Sequence, residues 1–307
     1  MKRTKFLILG YSSFLRRRVL PAIKKLKHLE YSICSRSNKI NLKKKILFND
    51  YDEALLKSDS TIVYISLINS LHFKYAKKAL EKGFNVIVDK PITTSFYETR
   101  ELLQLAKRKK LLLSEATVYN YHKVFDKMLR ICNGIKNILH IQAYFNLSFK
   151  KDLKEIIKIK ADCEQDMAPY ASSIIRLFTN NKIENLKVLK NYFNKNKIVK
   201  DFYVLTKHKN CTFFGSFAFK RNAYMNQITF FTKNKIVTSP HKIFTLPPNK
   251  PVFITLKEKD KIKKIKIEKD DCLRNFFKKV LKAMKNKNFN YFYNNILRDA
   301  IVRKKIN

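Results

Sequence analysis

Residues 61–91, TIVYISLINSLHFKYAKKALEKGFNVIVDKP, constrain the fold more than any other stretch of the chain. Thr61 to Ser66 is an apolar, β-rich run, and Ser70 to Lys82 has helical spacing. Gly83 then breaks the helix, and a second strand, Asn85 to Val88, ends at Asp89-Lys90-Pro91. Strand, helix and strand in that order predict a parallel pair joined by a crossover helix. Polar residues stand at both strand ends, where open α/β sheets bind their ligands.

The same alternation covers the first third of the chain. Thr4 to Leu9 reads as a strand followed by a helix from Phe14 to Leu26. Tyr31 to Cys34, Ile62 to Ile65, Val86 to Val88 and Leu111 to Leu113 read as further strands. Ser95 to Lys109 has apolar residues at a helical period, and Tyr121 to Cys132 reads as a helix leading into a second domain. Beyond residue 135 the texture changes. Segments 138–149, 184–193, 198–206, 211–219 and 226–232 are rich in Phe, Tyr, Ile, Val and Thr, and Asn-Lys clusters separate them. In a chain with only 4 glycines those clusters serve as turns, which predicts a mostly antiparallel sheet. One helix interrupts it near Asp166 to Phe178, another runs from Asp271 to Asn286, and a last one starts at Phe289. The Lys-rich piece 257–269 alternates apolar and charged residues and reads as a solvated edge hairpin. The expected architecture is α/β: a doubly wound parallel Rossmann sheet over residues 1–120, then an α+β domain with a large open antiparallel sheet over 121–307. The last helices are expected to return to the first domain.

Composition narrows the function classes. With 307 residues, 45% hydrophobic, the chain can build two packed cores. No run of about 18 apolar residues occurs, so no membrane-spanning helix is expected. The apolar run Phe6 to Leu9 is too short for a signal peptide and reads as the first strand. Cys34, Cys132, Cys163, Cys211 and Cys272 are odd in number and widely spaced, which argues against disulfides and zinc and for reduced thiols in the cytoplasm. The net charge of +42 suggests a polyanion partner at first sight. Lysine far outnumbers the better phosphate reader arginine, however, and Lys, Asn, Ile and Phe are abundant together while Gly and Trp are scarce. That pattern follows AT-rich codons, so no specific nucleic acid or membrane is expected. The positive field still favours an anionic small molecule such as a nucleotide sugar.

The first turn reads Gly10-Tyr11-Ser12-Ser13-Phe14-Leu15. A dinucleotide fingerprint is G-x-G-x-x-G; here Gly10 keeps the first glycine, and Ser12 and Leu15 replace the others. Gly10 can make the tight turn and Ser12 is small enough for close backbone approach, although a plain strand–helix turn accounts for the same residues. At the end of the second strand stands Ser35-Arg36-Ser37, where an acid would hold the ribose of NAD. A hydroxyl and a guanidinium suit a 2′-phosphate, so NADP(H) is expected, with NAD(H) as the alternative; an ordinary surface arginine is the plainer reading. Next come Ser66-Leu67-Ile68-Asn69-Ser70-Leu71-His72. Asn69 or Ser70 suits a helix cap, and His72 suits either packing or a hydrogen bond near the cofactor. In the second domain Asp166 and Tyr170 are four residues apart, so they share a helix face. Asp166 is equally suited to be that helix's N-cap.

These residues together resemble the glucose–fructose oxidoreductase / inositol dehydrogenase family (Gfo/Idh/MocA), over nearly the whole chain and most specifically at Asp89-Lys90-Pro91. The Arg16 to Ala22 segment, and tyrosine in place of the usual histidine at Tyr170, resemble its sugar 3-ketoreductase branch. Ile68 departs from the family's proline, and Asp162-Cys163-Glu164 departs from its glycine run. Lys242 to Pro248 is similar to a segment near the substrate in nucleotide-sugar members. The resemblance implies an NAD(P)-dependent oxidoreductase acting on CH–OH groups of a sugar or nucleotide sugar. Lys90, Tyr170 and Asp166 are then its catalytic residues. Gly10, Tyr11, Ser12, Ser13, Phe14, Ser35, Arg36, Ser66, Leu67, Asn69, His72, Asp89 and Lys90 are its cofactor-binding residues. A homodimer or homotetramer fits an exposed sheet face in the second domain. The alternative is a catalytically inactive relative acting as a binding or scaffold protein, favoured by the lost glycines.

Overall fold

The computed structural model describes residues 4–36, 46–148, 162–179, 183, 185–193, 198–219 and 224–307. Ser37 and Ala161 lie outside the described residues, as do parts of the segments 138–149 and 184–193 read above as strands. The chain divides into two compact units, Met1–Val118 with Leu273–Leu297, and Tyr119–Cys272 with Arg298–Asn307.

The first unit is built on six parallel strands. They are β1 (Thr4–Leu9), β2 (Leu29–Cys34), β3 (Ile46–Phe48), β4 (Ile62–Ile65), β5 (Asn85–Val88) and β6 (Leu113–Glu115), in the order β3-β2-β1-β4-β5-β6. That is the doubly wound order, and it places the topological switch between β1 and β4. All four residues of β4 are buried, as expected of a parallel strand covered on both faces. Helices α1 (Leu20–Lys24), α2 (Tyr51–Lys57), α3 (Asn69–Glu81) and α4 (Phe96–Arg108) connect the strands. Ser95 caps α4 by accepting the Glu98 N–H at 3.5 Å. A later helix, α7 (Cys272–Asn286), brings Phe277 edge-on to Phe6, with ring centroids 5.8 Å apart.

Several local expectations shift. Strand β2 starts two residues before Tyr31, and β3 and α2 are additional elements. The strand expected at 111–113 begins at Leu113, because Lys110 and Leu111 close the end of α4: their N–H groups bond the carbonyls of Lys107 and Ala106. Lys110 takes φ 53°, the left-handed conformation a glycine usually supplies, and Asn133 and Lys287 take similar angles. The helix after β1 is a π-helix over Leu15–Val19 before α1; Pro21 lacks an N–H, and the wider turn avoids its ring clash.

The second unit holds an eight-stranded sheet. Its strands are β7 (His140–Asn146), β8 (Lys187–Phe193), β9 (Ile198–His208), β10 (Cys211–Ala218), β11 (Met225–Phe231), β12 (Lys235–Thr238), β13 (Val252–Glu258) and β14 (Lys261–Ile267). The order is β14-β13-β12-β11-β7-β10-β9-β8, antiparallel throughout except for the parallel pair β7–β10. The edge hairpin of β13 and β14 turns at Lys259, again at positive φ. Helix α5 (Lys123–Ile131) starts two residues later than expected because His122 is its N-cap. Helix α6 (Cys163–Phe178) supplies Met167, Ala171, Ile174 and Phe178 to a core shared with Phe202, Phe213 and Phe217. Gly215 makes that core possible, since a Cβ there would lie 2.6 Å from the Phe217 ring and 2.8 Å from that of Phe213. A last helix, α8 (Asn290–Ile306), ends the chain; the division between the units falls between its Leu297 and Arg298.

Candidate active site

The carboxyl ends of β1 and β4 lie side by side at the switch point of the first unit. Gly10 follows β1 with φ +96°, and a Cβ on it would lie 2.3 Å from the Ser66 carbonyl oxygen. Only glycine lets the chain turn there against the end of β4. The turn runs through half-buried Tyr11 and Ser12 into exposed Ser13 and Phe14, where a helical run opens that continues to Lys24. Ser12 accepts the Leu15 N–H at 3.0 Å and so caps that run. A glycine turn feeding a helix N-terminus at the switch point has the shape that holds a dinucleotide diphosphate.

Two strands along, Ser35 is buried and its N–H bonds the Phe48 carbonyl at 3.2 Å. Arg36 is exposed and lies 4.7 Å over the Tyr51 ring. Its Nη2 lies 3.4 Å from the Tyr75 hydroxyl and 3.5 Å from Asp50 Oδ2. Asp50 also caps α2 by accepting the N–H groups of Asp52 and Glu53, and those bonds, the Glu53 bond foremost, hold its carboxyl below the usual range. Asp50, Tyr51 and Tyr75 thus shape the ground around Arg36; of these only Asp50 had a sequence signal, the cap pattern Asp50-x-x-Glu53.

Between these points a part-buried polar chain crosses the strand ends. Ser12 Oγ lies 2.8 Å from Ser66 Oγ, and Ser66 donates to Asp89 Oδ2 at 2.7 Å. Tyr64, wholly buried within β4, donates to Asp89 Oδ1 at 2.5 Å. Burial raises the Asp89 pKa above the ordinary carboxylate value; the Ser66 and Tyr64 hydrogen bonds and the charges of His72 and Lys90 act against it. Asp89 therefore turns toward the strand ends, and Lys90 follows it, half-buried, at the end of β5. The loop beyond Lys90 is pinned from β6, where Glu115 accepts the Ile92 N–H at 2.8 Å and the Thr117 hydroxyl at 2.6 Å.

His72 is fully buried in α3, with Nδ1 2.7 Å from the Pro91 carbonyl and Nε2 3.1 Å from that of Leu67. Both ring nitrogens lie within hydrogen-bond distance of main-chain carbonyls, so His72 sits between the loop after β4 and the loop after Lys90. Asn69 is half-buried at the first position of α3; neither it nor Ser70 is the cap, because the N-cap position belongs to Ile68, which has no capping side chain.

The second unit has a candidate helix face of its own. Asp162, not Asp166, caps α6 by accepting the Gln165 N–H at 3.0 Å, and its other oxygen accepts the Val199 N–H at 3.1 Å. Cys163 is buried and Glu164 pairs with Lys190. The three residues that stand where the family has glycines are thus absorbed into the fold. Asp166 and Tyr170 follow one turn apart, both half-buried. The Tyr170 ring is walled by Phe244 at 4.9 Å, Phe145 at 5.0 Å and Tyr119 at 6.0 Å between centroids. Ser173 donates to the Tyr170 carbonyl at 2.9 Å and meets the Tyr119 hydroxyl at 2.8 Å. Tyr119 and Phe145 escaped the sequence reading because aromatic residues in a β-rich region read as core.

Residues 4–117 match the model of the Gfo/Idh/MocA oxidoreductase family, NAD-binding Rossmann fold. Over those residues the chain is similar to that family. The chain is 29% identical over 186 residues to a D-xylose 1-dehydrogenase (NADP(+)) of Haloferax volcanii, covering 56% of each chain. It is 33% identical over 125 residues to a dTDP-3,4-didehydro-2,6-dideoxy-alpha-D-glucose 3-reductase of Saccharopolyspora spinosa, covering 39% of this chain and 38% of that one. The matches span about half the length of these curated relatives or less. In fold, the chain is similar to KijD10, a 3-ketoreductase from Actinomadura kijaniata solved with TDP-benzene and NADP. The TM-score is 0.88 at 19% identity, over 99% of this chain and 96% of that one. The Rossmann sheet and the large, mostly antiparallel sheet expected of this family are therefore both present.

Proposed function

We propose that this protein is an NADP(H)-dependent oxidoreductase that interconverts a ketone and an alcohol on a sugar or nucleotide sugar. One observation carries the reading: Lys90 stands at the carboxyl end of β5 in a β3-β2-β1-β4-β5-β6 sheet whose switch point holds the Gly10 turn. When bound, the nicotinamide supplies the hydride. In the reducing direction the carbonyl carbon accepts that hydride and Tyr170 gives its hydroxyl proton to the oxygen, so C=O becomes CH–OH. The Lys90 ammonium stabilises the charge developing on that oxygen and eases deprotonation of Tyr170 from its usual value of about 10. Asp166, one turn before Tyr170, is the acid that orients the sugar hydroxyls. Gly10, Tyr11, Ser12, Ser13 and Phe14 present the phosphate turn, Leu67, Asn69 and His72 shape the loop beside it, and Ser35 and Arg36 take the 2′-phosphate.

Support for the substrate class comes from the relatives: one is named for a dTDP-linked keto sugar, and KijD10 was solved with a TDP derivative. KijD10 has also been solved with one lysine or one tyrosine replaced, the two residue types this reading relies on. The net charge of +42 favours such anionic substrates. All five thiols are buried, which suits a reducing compartment such as the cytoplasm. The outer face of the large sheet leaves Leu189 65%, Leu205 50% and Phe253 47% exposed, and we assign it to a second copy of the chain.

The deciding experiment is a titration with NADPH and NADH side by side, followed by turnover of keto-sugar nucleotides. The chain has no Trp, so NADPH emission is read without that background. Tight NADPH and weak NADH binding is expected, with Lys90→Ala abolishing turnover and sparing NADPH binding. Full activity in that variant removes the assignment. The second reading, a non-catalytic binding protein, is favoured by Leu15, a full-size buried side chain at the fingerprint's third glycine. Absence of saturable binding to either nucleotide makes it the leading one.

A further inference from the structure

The hydroxyl of Ser12 stands where the fingerprint has its second glycine, and its hydrogen bonds are already assigned. The Ser66 hydroxyl donates its one hydrogen to Asp89 Oδ2 at 2.7 Å. Ser66 has no second hydrogen, so the 2.8 Å contact with Ser12 requires Ser12 to donate. Ser12 in turn accepts the Leu15 N–H at 3.0 Å. The direction is therefore set along the whole chain: Leu15 N–H to Ser12, Ser12 to Ser66, Ser66 to Asp89. The Tyr64 hydroxyl, 2.5 Å from the other Asp89 oxygen, steadies the carboxylate from inside the sheet.

A side chain at this position obstructs close approach of a diphosphate to the backbone unless it is turned away. Here its one hydrogen is spent inside the protein. We infer that Ser66 and Asp89 are positioning residues for the phosphate turn: they draw the Ser12 side chain toward the end of β4, so that the turn presents backbone as a glycine would. This inference rests on the dinucleotide reading above. It assigns Asp89 no contact with the cofactor, only an effect through Ser66 and Ser12. It also explains how the turn works with a single glycine, since Gly10 handles the steric approach to Ser66 and the hydrogen-bond chain handles Ser12.

A double-mutant cycle tests this, with NADPH dissociation constants read from nucleotide emission and melting temperatures as the fold control. Ser66→Ala releases the Ser12 hydroxyl and is expected to weaken NADPH binding by up to roughly tenfold, the upper end of the scale of one neutral hydrogen bond. Ser12→Gly has no side chain to restrain, so adding Ser66→Ala to it is expected to change affinity by less than about twofold. A merely structural role for Ser66 predicts the same loss in both backgrounds. Equal losses, or no loss in Ser66→Ala alone, overturn the inference and leave the dinucleotide reading standing. Absence of NADPH binding by the unaltered protein overturns both. A second cycle, Ser12→Gly against Asp89→Asn, tests the chain from its other end and replaces the first if Ser66→Ala does not fold; additivity there overturns the inference equally.

Discussion

Arg176 donates through Nε to Asp299 Oδ1 at 2.7 Å, with the two side chains only 8% and 6% exposed. The pair ties α6, the helix that carries Asp166 and Tyr170, to the part of α8 that belongs to the second unit. Arg298 reinforces the tie by donating to the Arg176 carbonyl at 2.6 Å. Buried ion pairs contribute little net stability, but removing one partner strands the other charge. Asp299→Ala is expected to cost about 3–5 kcal/mol, while the apolar pair Arg176→Met with Asp299→Leu costs far less. Denaturant midpoints of the three proteins check this; a loss in the double variant as large as in Asp299→Ala rejects it.

His122 is an acid-sensitive point in the second unit. It is buried, it caps α5 by accepting the Val124 N–H at 3.2 Å, and among the described residues its Nε2 has no hydrogen-bond partner. Burial lowers its pKa below 6.5, opposed by the charges of Asp270 and Asp271. Well above pH 6.5 the ring is neutral folded and unfolded, and its contribution is intact. As pH falls, the unfolded chain takes up a proton that the folded ring refuses, so stability is lost until the folded value is passed. His122→Asn keeps a capping oxygen without the titration. Melting curves from about pH 7.5 to about pH 5.5 should show the wild type losing more than the variant; parallel losses reject the assignment.

Lys110 closes α4 at φ 53° in a place glycine usually takes. The left-handed conformation costs a side-chain-bearing residue about 1–2 kcal/mol. Lys110→Gly is therefore expected to raise stability by about 1 kcal/mol, read as a higher denaturant midpoint with unchanged slope. A fall in the midpoint would show that the lysine makes compensating contacts.

Phe244 and Tyr170 lie 4.9 Å apart between ring centroids, so the Phe244 ring restrains the Tyr170 ring. Tyr170→Phe is expected to lower kcat by about 10²–10⁴-fold with NADPH affinity kept, as for loss of a general acid. Phe244→Ala should lower kcat by about tenfold through misplacement of the donor, and Phe244→Tyr should restore most of it. Unchanged steady-state kinetics in Phe244→Ala would separate the wall from the chemistry.

Much of the first unit was legible because its signals are local. The strand–helix–strand period, the break at Gly83 and the polar strand ends at Ser66 and Asp89 all lie within one stretch, and the parallel sheet followed from them. The short β3 and α2 were not legible, since three residues of strand carry no period and acquire a partner only when β2 lies beside them. The residues around Arg36 were missed for the same reason, because Tyr51 and Tyr75 reach it from different helices. In the second unit the β-rich texture was plain, but the parallel pairing of β7 with β10 was not, since nothing in either strand names its neighbour. Candidate residues were readable by type and spacing, as with Asp166 and Tyr170. Their partners were not.

By itself the sequence determined which residue types stand at the strand ends and where the longer strand and helix periods run, because side-chain type, spacing and turn residues act over a few positions. Only the tertiary structure decided that Asp162 rather than Asp166 caps α6, that His72 sits between two main-chain carbonyls, and that Ser12, Ser66 and Asp89 form one directed chain. Those outcomes depend on which atoms come within about 3 Å of each other, and hydrogen-bond partners 23 or 54 residues apart are chosen by how the strands pack.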